Sequence, residues 1–321
     1  MPAINEKSSE TREIAATRVF DAPRATVFKA WIDPTQLARW WGPKYFSNPV
    51  CELDVRPGGA IRVDMRGPDG TVYPMGGVFH EIVEPERLVF TTTAMHDDQG
   101  KPALEVLNTA TFVERNGKTT MTLNAVIMKA APEAAGALAG MRQGWTQSLE
   151  KLAEDLGPER PFVVARVFDA PRDVVFDVWT DCKHIVHWWG PKSFTVSSCK
   201  IDLRPGGVFH YGLRGPDGSE IWGKWIYREI VKPERLVVIA SFSDPEGGVT
   251  RHPMAPDWPR ETFCTITFEE WNGKTLVSVR WSPYNASEAE KNLFDNSYDN
   301  MQQGWGGTFE QLRDYVAKAT S

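Results

Sequence analysis

Several features are scarce in these 321 residues. No apolar stretch approaches the ~18 residues needed to cross a bilayer, so no membrane span is expected. Positive charge is not in excess: 36 Lys and Arg face 42 Asp and Glu, for a formal net charge of -6. That balance argues against a protein that works by neutralising nucleic-acid phosphates. Residues 1–20 hold no apolar run and no cleavage pattern, so no secretory leader is expected and the cytoplasm is the expected compartment. The 4 cysteines, Cys51, Cys182, Cys199 and Cys264, include no Cys-x-x-Cys. A chain this long and this rich in core residues does not need staples, so buried free thiols in a reducing compartment are expected.

Motifs for chemistry are scarce too. Cys182, His184 and His187 have metal-like spacing, but no fourth ligand follows, and the matching places in the first half are Pro34, Gln36 and Arg39. Surface histidines are therefore expected there, and neither a metal nor a cofactor. His80, His96, His210 and His252 each lack a counterpart histidine in the other half, and no Ser/His/Asp or Cys/His set can be assembled. Gly58-Gly59 lacks the lysine and the strand-to-helix context of a phosphate cradle. Glu105 and Glu261 open the strands that end in Phe112 and Phe268, but strand parity places Glu105 opposite Val106, Ala110 and Phe112. No catalytic residue is assigned.

What the chain has in quantity is tryptophan, 13 in all, and repetition. Trp40-Trp41-Gly42-Pro43-Lys44 returns as Trp188-Trp189-Gly190-Pro191-Lys192. Arg18 to Arg24 returns as Arg166 to Arg172, Arg56-Pro57-Gly58-Gly59 as Arg204 to Gly207, Arg66 to Gly70 as Arg214 to Gly218, and Pro85 to Leu88 as Pro233 to Leu236. The offset is the same for all five, which is the mark of a tandem duplication. The division expected is a loose tail over 1–14, a first domain over 15–157, a linker over 158–161 and a second domain over 162–321.

Each half reads as a strand, two short helices, a run of strands and one long helix. Asp21 is a candidate cap for the first helix, and Asp33-Pro34 separates it from the second. Ile61, Val63 and Met65 alternate with Arg62, Asp64 and Arg66, the period of a strand with one buried face. Asn116-Gly117 is a hairpin signal. Leu138, Met141, Trp145, Leu149, Leu152 and Leu156 form one apolar stripe on a closing helix over 132–156, and the second closing helix is expected over 287–319. Between two strands of the second half, Asp244 to Pro259 is an insertion rich in Pro, Gly and charge, read as a loop. The pattern is α+β, with a curved antiparallel sheet around each closing helix and a hollow between them.

The order of elements and motifs resembles the activator of Hsp90 ATPase homologue family, within the START-related helix-grip superfamily. The residues that carry the resemblance are Asp-Ala-Pro before the first helix, Trp-Trp-Gly-Pro, Arg-Pro-Gly-Gly, Gly-Pro-Asp-Gly, Pro-Glu-Arg-Leu, and Gly144-Trp145 with Gly304-Trp305. The resemblance implies two tandem helix-grip domains, each with a cavity for a hydrophobic small molecule. It also implies two alternatives: a cyclase or hydrolase acting on a polyketide or aromatic compound, or a partner of an Hsp90-type chaperone. The chaperone reading ranks last, because a separate chaperone-binding domain is expected to accompany it, and the two halves here are alike.

The residues expected to bind the ligand are Trp41, Arg56, Val63, Met65, Phe112, Met141 and Trp145 in the first half. In the second they are Trp189, Arg204, Tyr211, Trp225, Phe268, Tyr298, Met301 and Trp305. At most one ring of each Trp-Trp pair is expected to reach a cavity, the alternative being that the pair staples the second short helix to the sheet. Arg56 and Arg204 have a structural alternative, ion pairs with Asp54 and Asp202. His210, Tyr211 and Trp225 replace Arg62, Val63 and Gly77, so the second cavity is expected to be the smaller.

Overall fold

The computed structural model describes residues 13–97, 99–157 and 160–319. Most of the tail expected over 1–14 and half of the linker at 158–161 lie outside the described residues. The chain divides into two compact units, Met1–Glu159 and Arg160–Ser321.

In the first unit, β1 (Glu13–Phe20) leads into α1 (Arg24–Ile32) and α2 (Pro34–Trp40). Six strands follow: β2 (Ser47–Leu53), β3 (Ala60–Arg66), β4 (Val72–Val83), β5 (Arg87–His96), β6 (Pro102–Arg115) and β7 (Lys118–Ala130). A single 3-10 turn, Pro132–Ala134, precedes α3 (Ala135–Asp155). The sheet is antiparallel in the order β1-β7-β6-β5-β4-β3-β2. Each strand pairs with its sequence neighbour except β1, which closes against β7.

The second unit repeats this with β8 (Phe162–Phe168), α4 (Arg172–Thr180), α5 (Cys182–Ile185), β9 (Thr195–Ile201), β10 (Val208–Arg214), β11 (Glu220–Val231), β12 (Arg235–Ser243), β13 (Glu261–Trp271) and β14 (Lys274–Tyr284). Two helices end it, α6 (Glu288–Asn296) and α7 (Tyr298–Ala319). Its strand order, β8-β14-β13-β12-β11-β10-β9, is that of the first sheet.

Local chemistry sets these elements. Asp33 caps α2, its carboxylate accepting from the backbone N–H of Thr35 at 2.9 Å and Gln36 at 3.2 Å. Asp181 caps α5 in the same way through Lys183. Asp21 is not a cap: Pro23 holds that place with no side-chain bond, and Asp21 pairs with Lys118 at 3.2 Å. Asn116 and Gly117 both have positive φ, 53° and 72°, as the hairpin between β6 and β7 requires. Along β6, Val106, Ala110 and Phe112 are buried while Glu105 and Thr111 face outward.

The closing helices bury one stripe each. Leu149 and Leu152 of α3 face the first core, and Phe309, Leu312 and Val316 of α7 face the second. Truncating a residue such as Leu312, fully buried, costs about 2–5 kcal/mol. The expected continuous helix over 287–319 is broken at Ser297, whose N–H bonds back to the carbonyl of Phe294. Ser287 and Glu290 form a reciprocal capping box that starts α6 as a separate helix.

The cysteines depart from expectation. Cys182 and Cys199 form a disulfide, with Cα atoms 5.8 Å apart, because α5 packs on β9. Cys51 and Cys264 are free, and burial pushes the Cys51 thiol up to about 11.

Candidate ligand-binding cavity

The Trp-Trp-Gly-Pro segment is fixed by hydrogen bonds that divide its two rings. The indole N–H of Trp40 donates to the carbonyl of Ala30 at 3.0 Å, and that of Trp188 to Val178 at 3.2 Å. These first rings are spent joining adjacent helices. Gly42 and Gly190, at φ 86° and 103°, turn the chain immediately afterwards. The second ring, Trp189, meets Trp225, Tyr211 and Trp305 edge-on at 5.1, 5.5 and 6.1 Å.

Around Trp189 lies a cavity of about 620 Å³ in the second unit. Its floor is the inner face of β10 to β14, with Tyr211, Trp225, Cys264 and Trp281, while Trp222, of opposite strand parity, borders it from the edge and stacks on His210 at 5.1 Å. Its roof is the first half of α7, with Met301, Gly304, Trp305 and Thr308. The insertion supplies a further wall through His252, Met254 and Trp258. Six of the lining residues are tryptophan, and none is Asp, Glu, Lys or Arg.

The groups that could ionise are held neutral. Burial pushes the Tyr211 phenol up to about 12 and raises the Cys264 thiol as well. Burial lowers the His252 pKa below its ordinary 6.5. An uncharged wall of this kind accepts uncharged guests, because an ion entering it would lose its hydration without gaining a partner.

The insertion is held in place at three points. Arg251 bonds Glu290 of α6 at 2.6 Å and the carbonyl of Pro256 at 3.1 Å. Trp258 packs on Phe294 of α6 at 5.4 Å and on Trp281 at 5.9 Å. Lys224 of β11 donates to the carbonyl of Gly247 at 2.6 Å.

Of the residues expected from sequence, Trp189, Tyr211, Trp225, Met301 and Trp305 meet around this cavity. The larger side chains at 211 and 225 form its walls and leave it open. Three others lie elsewhere. Phe268 is in the core against Phe176 at 5.2 Å, and Tyr298 packs on Phe162 at 5.2 Å. Arg204 is exposed and paired with Asp202 at 2.9 Å. In the first unit, Arg56 is likewise exposed and paired with Asp54 at 2.8 Å. Trp41, Val63 and Phe112 are core residues, and Met65 packs against them. Trp145 stacks on Trp31 at 6.1 Å and meets Trp41 edge-on at 5.2 Å. Met141 sits with Ile14, Leu104 and Val106 in a separate small cluster.

Trp222, His252, Trp258 and Trp281 were not expected at the site. A tryptophan and a histidine inside a polar insertion found in one half only was the signal available. The Cys182, His184 and His187 side chains have other partners: the sulfur is in the disulfide, Nδ1 of His184 bonds the Tyr315 hydroxyl at 2.7 Å, and His187 stacks on the same ring at 5.2 Å. Among the described residues no group of three or more His, Cys, Asp or Glu side chains is placed to hold a metal, and no helix is long and apolar enough to cross a membrane.

Comparison with known proteins agrees with the duplication. A search of curated proteins found no match. A protein from Chromobacterium violaceum is 28% identical and covers 46% of this chain and 98% of its own, with a TM-score of 0.40. One from Arthrobacter aurescens is 28% identical over 47% of this chain and 89% of its own, with a TM-score of 0.42. The di-domain ARO/CYC BexL from the BE-7585A biosynthetic pathway is 18% identical and covers 95% of this chain and 98% of its own, with a TM-score of 0.38. The profile of the activator of Hsp90 ATPase homolog 1-like proteins matches twice, over residues 21–157 and 169–317. With most of both halves matched, the chain belongs to the activator of Hsp90 ATPase homolog 1-like family.

Proposed function

We propose that the protein binds an uncharged, largely aromatic small molecule in the cavity of its second domain. The observation that carries this reading is a space of about 620 Å³ walled by six tryptophans with no charged side chain. Binding is favoured over catalysis in that space. General acid-base chemistry needs convergent proton-transfer groups; burial holds Tyr211 and Cys264 in their neutral forms at neutral pH, and His252 stands in the lining with no carboxylate or cation to work with. A chaperone partner is suggested by the family's name alone.

The test is a titration of the full chain with N-phenyl-1-naphthylamine, a neutral fluorescent probe, alongside its anionic relative 8-anilinonaphthalene-1-sulfonate. The neutral probe should saturate one site, and the anion should bind at least tenfold more weakly. Native mass spectrometry of protein from its own host should show a co-purifying small molecule on the same site. Equal binding of both probes, or saturation by neither, would count against the reading.

A further inference from the structure

Besides Asn300, Thr262 and the unpartnered indole N–H groups of Trp189 and Trp281, the cavity offers a guest one polar group from the insertion. His252 lies in the cavity wall, and the backbone N–H of Met254 donates to its Nδ1 at 3.1 Å. An Nδ1 that accepts a hydrogen bond carries no proton, so in the neutral ring the proton is on Nε2. No protein partner for Nε2 is found among the described residues. The ring itself is clamped, edge-on to Phe242 at 4.5 Å and beside Trp258 at 6.3 Å. The chain next to it is tied down by the Arg251 to Glu290 pair. This is a donor of fixed tautomer and fixed direction, set into an aromatic wall.

Resting on the cavity reading above, we infer that His252 is a specificity residue which selects planar aromatic guests bearing a carbonyl oxygen, by donating its Nε2–H to that oxygen. The flat shape follows from the wall, where Trp189, Trp225, Trp258, Trp281 and Trp305 offer ring faces and edges. The carbonyl follows from the donor, because an acceptor without its own proton is what a lone N–H satisfies. The first unit lacks this device: β5 and β6 are joined directly over 97–101, and it has no counterpart of the insertion.

The test uses fluorene and 9-fluorenone, two neutral planar molecules that differ in one carbonyl, with affinities read by quenching of tryptophan fluorescence in the full chain. Replacing His252 by Phe removes the donor and keeps a ring. The ratio of fluorenone to fluorene affinity, which cancels any change in the wall common to both compounds, should then fall about three- to tenfold. His252→Gln, which retains an N–H donor, should restore much of the ratio. An equal ratio in the wild type and His252→Phe overturns the inference while leaving the cavity reading intact. Failure of the wild type to bind either compound overturns both. The infrared carbonyl stretch of fluorenone bound to wild-type protein needs no variant: it should lie at lower frequency than in hexane, and an unshifted band overturns the inference.

Discussion

Lys151 and Gln311 perform one task in the two halves, each reaching from the closing helix to the backbone of a Trp-Trp-Gly-Pro loop. Nζ of Lys151 lies 3.3 Å from the carbonyl of Trp41, 3.4 Å from those of Gly42 and Pro43, and 3.1 Å from that of Phe46. Nε2 of Gln311 donates to the carbonyls of Trp188 at 3.3 Å and Gly190 at 2.7 Å. Those carbonyls belong to a tight turn and have no strand or helix to satisfy them.

Lys151→Gln should therefore be tolerated, within about 1 kcal/mol, since the second half already uses an amide there. Lys151→Met should cost about 1–3 kcal/mol, because it takes this donor from the carbonyls of Gly42 and Phe46, whereas Trp41 keeps the Asn48 amide and Pro43 the backbone N–H of Phe46. Burial pushes the Lys151 pKa down from 10.5 to about 7, while the four carbonyl oxygens favour the charged form. The sign is fixed by proton counts. Between the two values the unfolded chain holds the proton and the folded one does not, so stability rises with pH across that window; below it both are protonated and the penalty is full. Urea unfolding at about pH 6 and about pH 9 should show the wild type gaining on Lys151→Gln at the higher pH. A constant difference would mean that the carbonyls hold the ammonium in place.

The disulfide gives a second prediction. Cys182 and Cys199 are 17 residues apart in sequence, and their bond anchors α5, the helix that leads into Trp188 and Trp189. Closing a loop of that size stabilises by about 3 kcal/mol. Cys199→Ser should lower the stability of the second domain by roughly that amount. Dithiothreitol should shift wild-type protein by the same extent and leave the variant unchanged. Identical urea midpoints for oxidised wild type and Cys199→Ser would rule this out.

The fold was legible because it is written twice. Trp-Trp-Gly-Pro and Pro-Glu-Arg-Leu at one offset fixed the domain count, and alternation at Ile61, Val63 and Met65 fixed the sheet. The disulfide was hidden by the same comparison, because Cys199 matches Cys51 whereas Cys182 matches Pro34. Pairing there depends on how α5 lies on β9, a tertiary distance that no spacing encodes. The cavity was half legible. Residues on repeated elements, such as Trp189 and Trp305, could be placed by analogy between halves. The insertion could not, since its Pro, Gly and charged residues read as a loop, and what orders it is the Trp258 ring on Phe294 in a helix the first half lacks.

That ordering should govern how fast a guest leaves. Arg251 is half-exposed while Glu290 is largely buried, and the Glu290 carboxyl is held below its usual range by the backbone N–H of Ser287 and by Arg251. Arg251→Ala should free the insertion and speed dissociation of N-phenyl-1-naphthylamine roughly three- to tenfold, as expected for one partly screened charged bond. Stopped-flow displacement measures the rate. A depressed carboxyl contributes above its ordinary pKa of 4.5 and loses that contribution as pH falls through the folded value. Wild-type dissociation should therefore approach that of the variant only in acid.

Gly304 provides the sharpest separation of binding from stability. It sits inside α7, where glycine costs about 1 kcal/mol relative to alanine, and it lines the cavity roof. A Cβ added there would meet nothing within 4 Å. The helix thus carries a weak residue at an open position of the roof, where an added side chain has room to extend. Gly304→Ala should raise stability by about 1 kcal/mol and leave room for the probe. Gly304→Leu should also fold, since it strengthens the helix and adds apolar contact, but its side chain occupies the space that the guest needs. Binding of N-phenyl-1-naphthylamine should drop at least tenfold in Gly304→Leu while its thermal midpoint stays at or above that of the wild type. Were the leucine variant to bind the probe as well as the wild type does, the guest would have to lie somewhere other than between sheet and helix.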